Sequence, residues 1–532
     1  MAGTCVPQPL VLPLQDVQVN ATVADSFMTG IPAQVGTPPQ DIVLLPWPEL
    51  NNTWLYDQQA LCDRTVIFSD EICFVRRGNY YIESESSTFR QALDIVSAGG
   101  ASSETQVQGS ELGIKNLISS GLGGTDVFRL GANVSLESFP VGIPRQAWDM
   151  GYTTLHALGL GSNSTYLTAL LDAGHIGARV WSIFWGRMWQ TKNPMNGSIV
   201  LGGYDRAKVI GRNLTQNLDF GPSGCWTGMK LNVHDIRVNF RDGSDKTLFQ
   251  TNSIMPVCLV PQRQLLLEAP SSIFSNFELV TATTSIGLSF GLHWGAQLFD
   301  RGTEFDGDIT FELDSDFTIR VPNDQYIVPF VAIDRNSSRI FNESQREVLV
   351  GALGDQPATL GRYFLTAAYL MVDQDAGTFT LWQANPSTNV DLAVVGDQAS
   401  PSCSEGSSPA QSSSSSPSSS SSSSPPTLEG ASKSTEVSGG AIAGAAVGAV
   451  AAFAAIAVLV FFLFRRKRRT PASAKRTIEP YEMQGDSFGE MAAAMTSSGG
   501  GTMVHKGQDN KVSTTPDIVY EMDGSKRSSL PR

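Results

Sequence analysis

The most constraining feature of this sequence is an uncharged run of 26 mostly apolar residues, 439–464. A helix of that length is roughly 39 Å long, which is enough to cross a hydrocarbon core of about 30 Å. The next five residues, 465–469, are all Arg or Lys, and such a cluster stays on the cytoplasmic side of a membrane. The sequence therefore predicts a single-pass protein of the plasma membrane, with residues 1–438 outside the cell and residues 465–532 inside it.

Two further expectations concern the membrane and the N-terminus. Gly440, Gly444 and Gly448 are spaced by four, and small residues at this spacing let two membrane helices approach closely. We therefore consider a homodimer, although a Gly/Ala-rich segment also contains such a row by chance. The first 20 residues show neither a basic region nor a long apolar run, so no signal peptide is visible. We expect that the true signal is missing from this sequence; the alternative is that residues 1–438 are not exported.

Glycosylation and disulfide signals also favour export. All sequons precede the apolar run, at Asn20, Asn51, Asn133, Asn163, Asn196, Asn213, Asn336 and Asn342. All six cysteines do so as well: Cys5, Cys62, Cys73, Cys225, Cys258 and Cys403. An even number of cysteines on the outer side permits disulfides.

The part before the apolar run reads as an all-β body. Short β-branched and aromatic runs alternate with Gly, Asn, Asp and Pro turns, and residues 165–175 and 342–353 are the best helical candidates. Residues 399–438 form a Ser/Pro-rich stalk, and residues 465–532 a tail predicted to be disordered.

Charge and motifs exclude several classes of function. Residues 1–438 hold 25 Lys or Arg against 43 Asp or Glu, which argues against nucleic acid as a partner. The five histidines show no metal-ligand spacing, and no glycine-rich phosphate loop stands out. We therefore expect neither a metal nor a cofactor.

Several motifs of the body resemble those of the pepsin-like aspartic proteases. They include GTPPQ at 36–40, SESSTF at 84–89, ALGLG at 157–161, GSIVLGGYD at 197–205 and a closing segment at 359–382. The resemblance covers roughly residues 17–385.

The resemblance implies a fold of two β lobes around a cleft. After a lead-in over residues 1–16, the lobes would span residues 17–205 and 206–398. It also implies a disulfide hairpin closed by Cys62 and Cys73. Cys225 and Cys258 could then pair in the second lobe, and Cys5 with Cys403 across the two ends of the body.

The residues that this family uses for catalysis are absent. Its reaction needs two carboxylates that share a proton, one from an Asp-Thr-Gly loop in each lobe. Aligning Asn52 and Trp54 with the Asn and Trp after the first motif puts Trp47 at the Asp position and Glu49 at the Gly position.

The second loop departs from the pattern in the same way. Counting back from the Pro-Ser-Ser at 270–272 puts Pro261 at the second Asp position, followed by Gln262 and Arg263. No Asp-Thr-Gly or Asp-Ser-Gly occurs anywhere in the chain. Both catalytic carboxylates are therefore predicted to be missing. The residues that we expect to line the cleft are Trp47, Glu49, Asn52, Trp54, Pro261, Gln262 and Arg263.

These observations lead to one main hypothesis and two alternatives. The main one is a cell-surface glycoprotein with an inactive pepsin-like body, whose cleft binds a peptide or glycan through Trp47 and Arg263. The first alternative is that these residues only pack the vacated site. The second is a membrane-anchored aspartic endopeptidase with a remodelled site. By analogy with fungal wall-stress sensors, the tail would bind a cytoplasmic signalling partner.

Overall fold

The computed structural model describes residues 7–59, 62, 67, 69–104, 121–131, 134–145, 155–189, 194–250, 253–353 and 357–396. Contacts divide the chain into Met1–Ser413 and Ser414–Arg532, and every described residue lies in the first unit. Within these ranges no helix has the length and apolarity that a membrane crossing needs. The predicted stalk, membrane segment (Gly440, Gly444 and Gly448 included) and tail lie outside the described residues.

Eight strands form the first lobe and the segment that leads into it: β1 Leu10–Gln18, β2 Phe27–Val35, β3 Gln40–Trp47, β4 Thr53–Trp54, β5 Arg90–Ala92, β6 Leu122–Leu130, β7 Ser135–Ile143 and β8 His156–Gly159. Seven more strands lead out of this lobe or close the body: β9 Val180–Arg187, β10 Met195–Leu201, β11 Gly203–Asp205, β12 Val209–Asn217, β25 Ala368–Asp373, β26 Thr378–Ala384 and β27 Leu392–Val394. All but β11 and β27 join one sheet in the order β12-β26-β25-β9-β10-β1-β2-β3-β8-β4-β7-β6-β5. Strand β1 pairs with β10 at one end and with β2 at the other, so it ties the first lobe to the closing strands.

The second lobe contains the remaining described strands: β13 Lys230–Phe240, β14 Asp245–Thr247, β15 Met255–Leu259, β16 Leu267–Ala269, β17 Gly287–Leu288, β18 Gln297–Asp300, β19 Gly307–Leu313, β20 Phe317–Val321, β21 Ile327–Ile333, β22 Arg339–Val348, β23 Val350–Ala352 and β24 Ala358–Leu360. One sheet runs β20-β19-β13-β15-β24-β16-β23, with β14 beside β13, and a second runs β17-β18-β22-β21. Buried residues alternate with half-buried ones along β19 and with exposed ones along β20, as expected for strands with one face on a core. The predicted all-β class with two lobes is confirmed.

Three helices lie in the described residues: α1 Asp70–Arg77, α2 Thr165–Asp172 and α3 Ser271–Thr281. The helix predicted over 165–175 is confirmed as α2, which Ser164 caps by accepting a hydrogen bond from Leu167 N. Helix α1 was not predicted, although its Ser69 cap, acidic first turn and left-handed Gly78 are local signals for it.

The helix predicted over 342–353 is wrong. These residues form most of β22 and all of β23. Strand β22 pairs with β18 on one side and with β21 on the other, so both edges of its backbone are hydrogen-bonded. Sheet pairing here overrides a local preference that is worth only tenths of a kcal/mol per residue.

Candidate functional site

Two loops that follow equivalent strands meet at the junction of the lobes. The first follows β3, which runs parallel to β8, and the second follows β15, which runs parallel to β24. Leu160 N donates to Trp47 O at 3.1 Å, and Val260 N donates to Leu360 O at 2.8 Å. Each loop is thus fixed by the backbone of the strand beside it.

One glycine beside each loop allows this close approach. A Cβ at Gly159 would lie 2.3 Å from Asn52 O, and a Cβ at Gly361 would lie 2.2 Å from Leu265 O. Both distances are far below van der Waals contact, so any larger residue would push the loop away. The glycines of ALGLG and of the second-lobe TLG therefore have a structural reason to be there.

The floor between the loops is packed and has one carboxylate at its centre. Glu49 Oε2 accepts hydrogen bonds from Trp47 Nε1 at 3.3 Å and from Gln262 Nε2 at 3.2 Å. Trp47 and Gln262 have no exposed surface, and Glu49 is 2% exposed. The contact from Glu49 to Gln262 joins the two loops. Both of these donors are neutral side chains.

A second carboxylate, that of Glu268 in strand β16, has separate partners. Glu268 Oε1 pairs with Arg263 Nη1 at 3.4 Å, and its Oε2 accepts from Thr359 Oγ1 at 2.9 Å. Arg263, expected to bind the carboxylate of a ligand, is thus directed to a carboxylate of its own lobe. The side chains of Arg263, Glu268 and Thr359 are buried or nearly so, as is that of Glu49.

Behind the first loop lies Glu104, which the sequence analysis missed. Its Oε1 accepts from Trp54 Nε1 at 2.9 Å and from Asn52 Nδ2 at 2.6 Å. Its Oε2 accepts from the backbone N–H groups of Asn51 at 2.8 Å and Asn52 at 3.1 Å. Burial raises the pKa of Glu104, although these hydrogen bonds act in the opposite direction. No local motif marks this residue, because its partners are about 50 positions away.

The seven predicted cleft residues share one property, which is burial. All seven are buried: Trp47, Glu49, Asn52, Trp54, Pro261, Gln262 and Arg263. Trp47 and Trp54 belong to one apolar cluster with Leu50, Tyr56 and Ile95. As described, Trp47 is not accessible as a binding anchor, and its position fits the alternative in which these residues pack the vacated site.

The disulfide predictions are confirmed where the structure describes them. Cys62 and Cys73 are joined with an S–S distance of 2.14 Å, and Cys225 and Cys258 with 2.02 Å. Cys5 and Cys403 lie outside the described residues.

The predicted glycan acceptors differ in exposure. Asn163, Asn196, Asn213 and Asn336 are exposed, Asn20 and Asn342 are half-buried, and Asn133 lies outside the described residues. Asn51 is only 1% exposed, its Nδ2 donates to Ser103 O at 2.6 Å and its Oδ1 accepts from Asn163 N at 2.9 Å. A glycan on Asn51 does not fit this folded structure, because the amide that would carry it is enclosed and hydrogen-bonded.

The comparisons with known proteins give a distant relationship. No family model matches this chain. It is 21% identical over 392 residues to secreted aspartic protease 8 of Candida albicans, an alignment that covers 71% of this chain and 82% of that protein. A crystal structure of the aspartic proteinase from Irpex lacteus matches with a TM-score of 0.47 and 16% identity, covering 71% of this chain and 98% of the other. The described body is all-β and has two lobes, as the sequence predicts.

Proposed function

We propose that this chain is a cell-surface, single-pass membrane glycoprotein whose pepsin-like body binds or senses a ligand without cleaving it. The observation that carries the proposal is the floor between the loops. Trp47 and Pro261 stand where the family resemblance implies two catalytic aspartates, and both are buried. Two non-acidic side chains packed at these positions support loss of the two-carboxylate chemistry.

The packed floor also bears on how a ligand would bind. Because Trp47 and Trp54 are enclosed, a peptide or glycan would contact the rim of the cleft rather than its floor. Such a binding body on a Ser-rich stalk, with a basic cluster and a tail inside the cell, suits ligand capture, adhesion or sensing. In this proposal the tail binds a cytoplasmic signalling partner, and the membrane segment pairs with that of a second copy.

Proteolysis is tested with the purified, glycosylated full-length chain and a peptide library, from acid to neutral pH, with and without pepstatin. A correctly folded sample should cleave nothing. Pepstatin-sensitive cleavage would refute the proposal, because it would require a working pair of carboxylates.

The alternative function is an aspartic-type endopeptidase with a remodelled site. It would depend on Glu49, whose carboxylate accepts hydrogen bonds from a residue of each loop. If cleavage is detected, Glu49→Gln should abolish it. The matched control, Glu312→Gln, removes a partly exposed carboxylate that pairs with Arg237 in the second lobe, and should leave cleavage unchanged.

Export and membrane insertion are tested on the chain expressed in a eukaryotic host. The chain should stay in the membrane pellet after alkaline carbonate extraction, and glycosidase should lower its apparent mass. Replacing Asn163, Asn196, Asn213 or Asn336 by Gln should each remove one step of mass, whereas Asn51→Gln should not change the mass. An unchanged mass after glycosidase treatment, or release by carbonate, would contradict this part of the proposal.

A further inference from the structure

A small cavity lies between the lobes, beside the second of the two floor loops. Its volume is about 40 Å³, and its lining includes Arg76 from α1 of the first lobe together with Gln264, His293 and Arg362 from the second. A single water needs only about 10–15 Å³ of such space. The cavity therefore has room for a few waters or for one ion of the size of chloride, and it is lined by two guanidinium groups.

Arg362 is a cation with no carboxylate partner in the part of the chain that the structure describes. Its Nε donates to Arg263 O at 3.2 Å, its Nη2 donates to Gln262 O, and its guanidinium carbon lies 4.9 Å from the centre of the Trp185 ring. Nη1 has no hydrogen-bond partner among the same described residues. Burial lowers the pKa of Arg362 to about 10. Arg362 is half-buried. Charges that are largely removed from water are normally compensated by an opposite charge, and here two carbonyl groups and a ring face the guanidinium.

Two carboxylates act on Tyr363 in the lining of the cavity, and both are committed elsewhere, Asp16 to Arg339 and Glu347 to His293. Glu347 Oε2 lies 2.6 Å from His293 Nδ1, and His293 Nε2 lies 2.6 Å from the Tyr363 hydroxyl. The same hydroxyl accepts a hydrogen bond from Trp189 Nε1 at 2.6 Å. This chain of contacts uses the Glu347 charge to hold His293, so it does not compensate Arg362.

Arg76 approaches the cavity from the other lobe. Its Nη1 donates to Gly291 O of the second lobe at 2.9 Å, and its guanidinium carbon lies 6.0 Å from the centre of the Trp294 ring. The cavity is therefore lined by guanidinium groups from both lobes, of which that of Arg76 is buried and that of Arg362 is half-buried. In such surroundings the attraction between a cation and an anion is several times stronger than in water.

We propose that this cavity binds a small monovalent inorganic anion, of which chloride is the example, in contact with the guanidinium groups of Arg76 and Arg362. The ion compensates the charge of the half-buried Arg362 and bridges the two lobes. Because Arg362 also donates to the carbonyl groups of Gln262 and Arg263, the ion stabilises the loop that forms half of the floor. The site is independent of whether the floor is catalytic.

The test measures thermal unfolding of the full-length chain in detergent, in sodium chloride and in sodium gluconate at the same ionic strength. With a site, each tenfold increase in chloride above its dissociation constant should raise the unfolding midpoint by roughly 2 °C. Chloride-35 line broadening, measured on the same sample, should exceed that of the buffer and decrease when bromide is added. Equal midpoints in the two salts, together with no excess broadening, would overturn the proposal.

Two variants assign the effect to the cavity. Arg362→Met should abolish both the chloride-dependent increase and the excess broadening, while Arg320→Gln, which removes an arginine with a 58% exposed side chain, should keep both. If Arg362→Met does not fold, Arg362→Lys keeps the charge but loses the planar fork, and it should weaken chloride binding at least tenfold. A full chloride response in either Arg362 variant would refute the assignment.

Discussion

Replacing Trp47 by alanine tests whether the floor between the loops is packed or open. The Trp47 side chain has no exposed surface and lies in a cluster with Leu50, Trp54 and Tyr56. A buried aromatic side chain removes about 150–250 Å² from water, which at about 25 cal/mol per Å² corresponds to about 4–6 kcal/mol. Measured Trp-to-Ala costs in protein cores are about 3–5 kcal/mol. We therefore expect Trp47→Ala to lower the free energy of unfolding by about 4 kcal/mol.

The hydrogen bond from Trp47 to Glu49 adds a smaller contribution that a second variant isolates. Trp47→Phe keeps an aromatic ring in place but removes the Nε1–H that Glu49 accepts at 3.3 Å. A buried acceptor that loses a donor costs about 1–3 kcal/mol. Trp47→Phe should therefore lie between the native chain and Trp47→Ala in stability.

The assay is urea unfolding of the full-length chain in detergent, followed by far-ultraviolet circular dichroism so that loss of a tryptophan does not alter the signal. Leu279→Ala is the control, because Leu279 is 78% exposed and should change stability by less than about 0.5 kcal/mol. If Trp47→Ala costs less than about 1 kcal/mol, the ring is not packed. The hypothesis that Trp47 is a ligand anchor in an open cleft would then replace the one argued above.

Three further predictions concern stability. Burial lowers the pKa of His156 to about 3. His156 therefore stabilises the fold above pH 6.5, its usual pKa, and this stability is lost as the pH falls towards 3. In urea titrations, His156→Asn should reduce the loss of stability between pH 6.5 and pH 4 by about 3 kcal/mol. Burial raises the pKa of Glu104, so its contribution to the free energy of unfolding is largest at acid pH and is lost as the pH rises through that raised pKa. Glu104→Gln should flatten this part of the curve of stability against pH, whereas Glu137→Gln, at an exposed residue, should not. The Cys225–Cys258 disulfide closes a loop of 33 residues, so replacing both cysteines by alanine should cost about 4 kcal/mol, and an unchanged unfolding midpoint would contradict a structural role.

Local sequence patterns were sufficient for the class of the fold and for the position of the two loops. Alternation of apolar and polar residues, turn residues and short glycine motifs report on backbone shape within a few positions, and they predicted the all-β class and α2. The two disulfides of the body were expected from the family resemblance. The same patterns failed at 342–353. There the backbone is hydrogen-bonded to β18 and β21, and no residue in the segment itself signals those partners.

The sequence, aligned with the family that it resembles, predicts that the two catalytic carboxylates are missing from the positions where that family has them. Only the tertiary structure shows what surrounds these positions. It brought Glu49 to Gln262 from a distance of 213 positions, and it enclosed Trp47 in the first lobe. It also placed Glu104 beneath Asn52 and left Arg362 without a carboxylate among the described residues. Burial and charge compensation depend on groups that are distant in sequence, so only the folded chain can specify them.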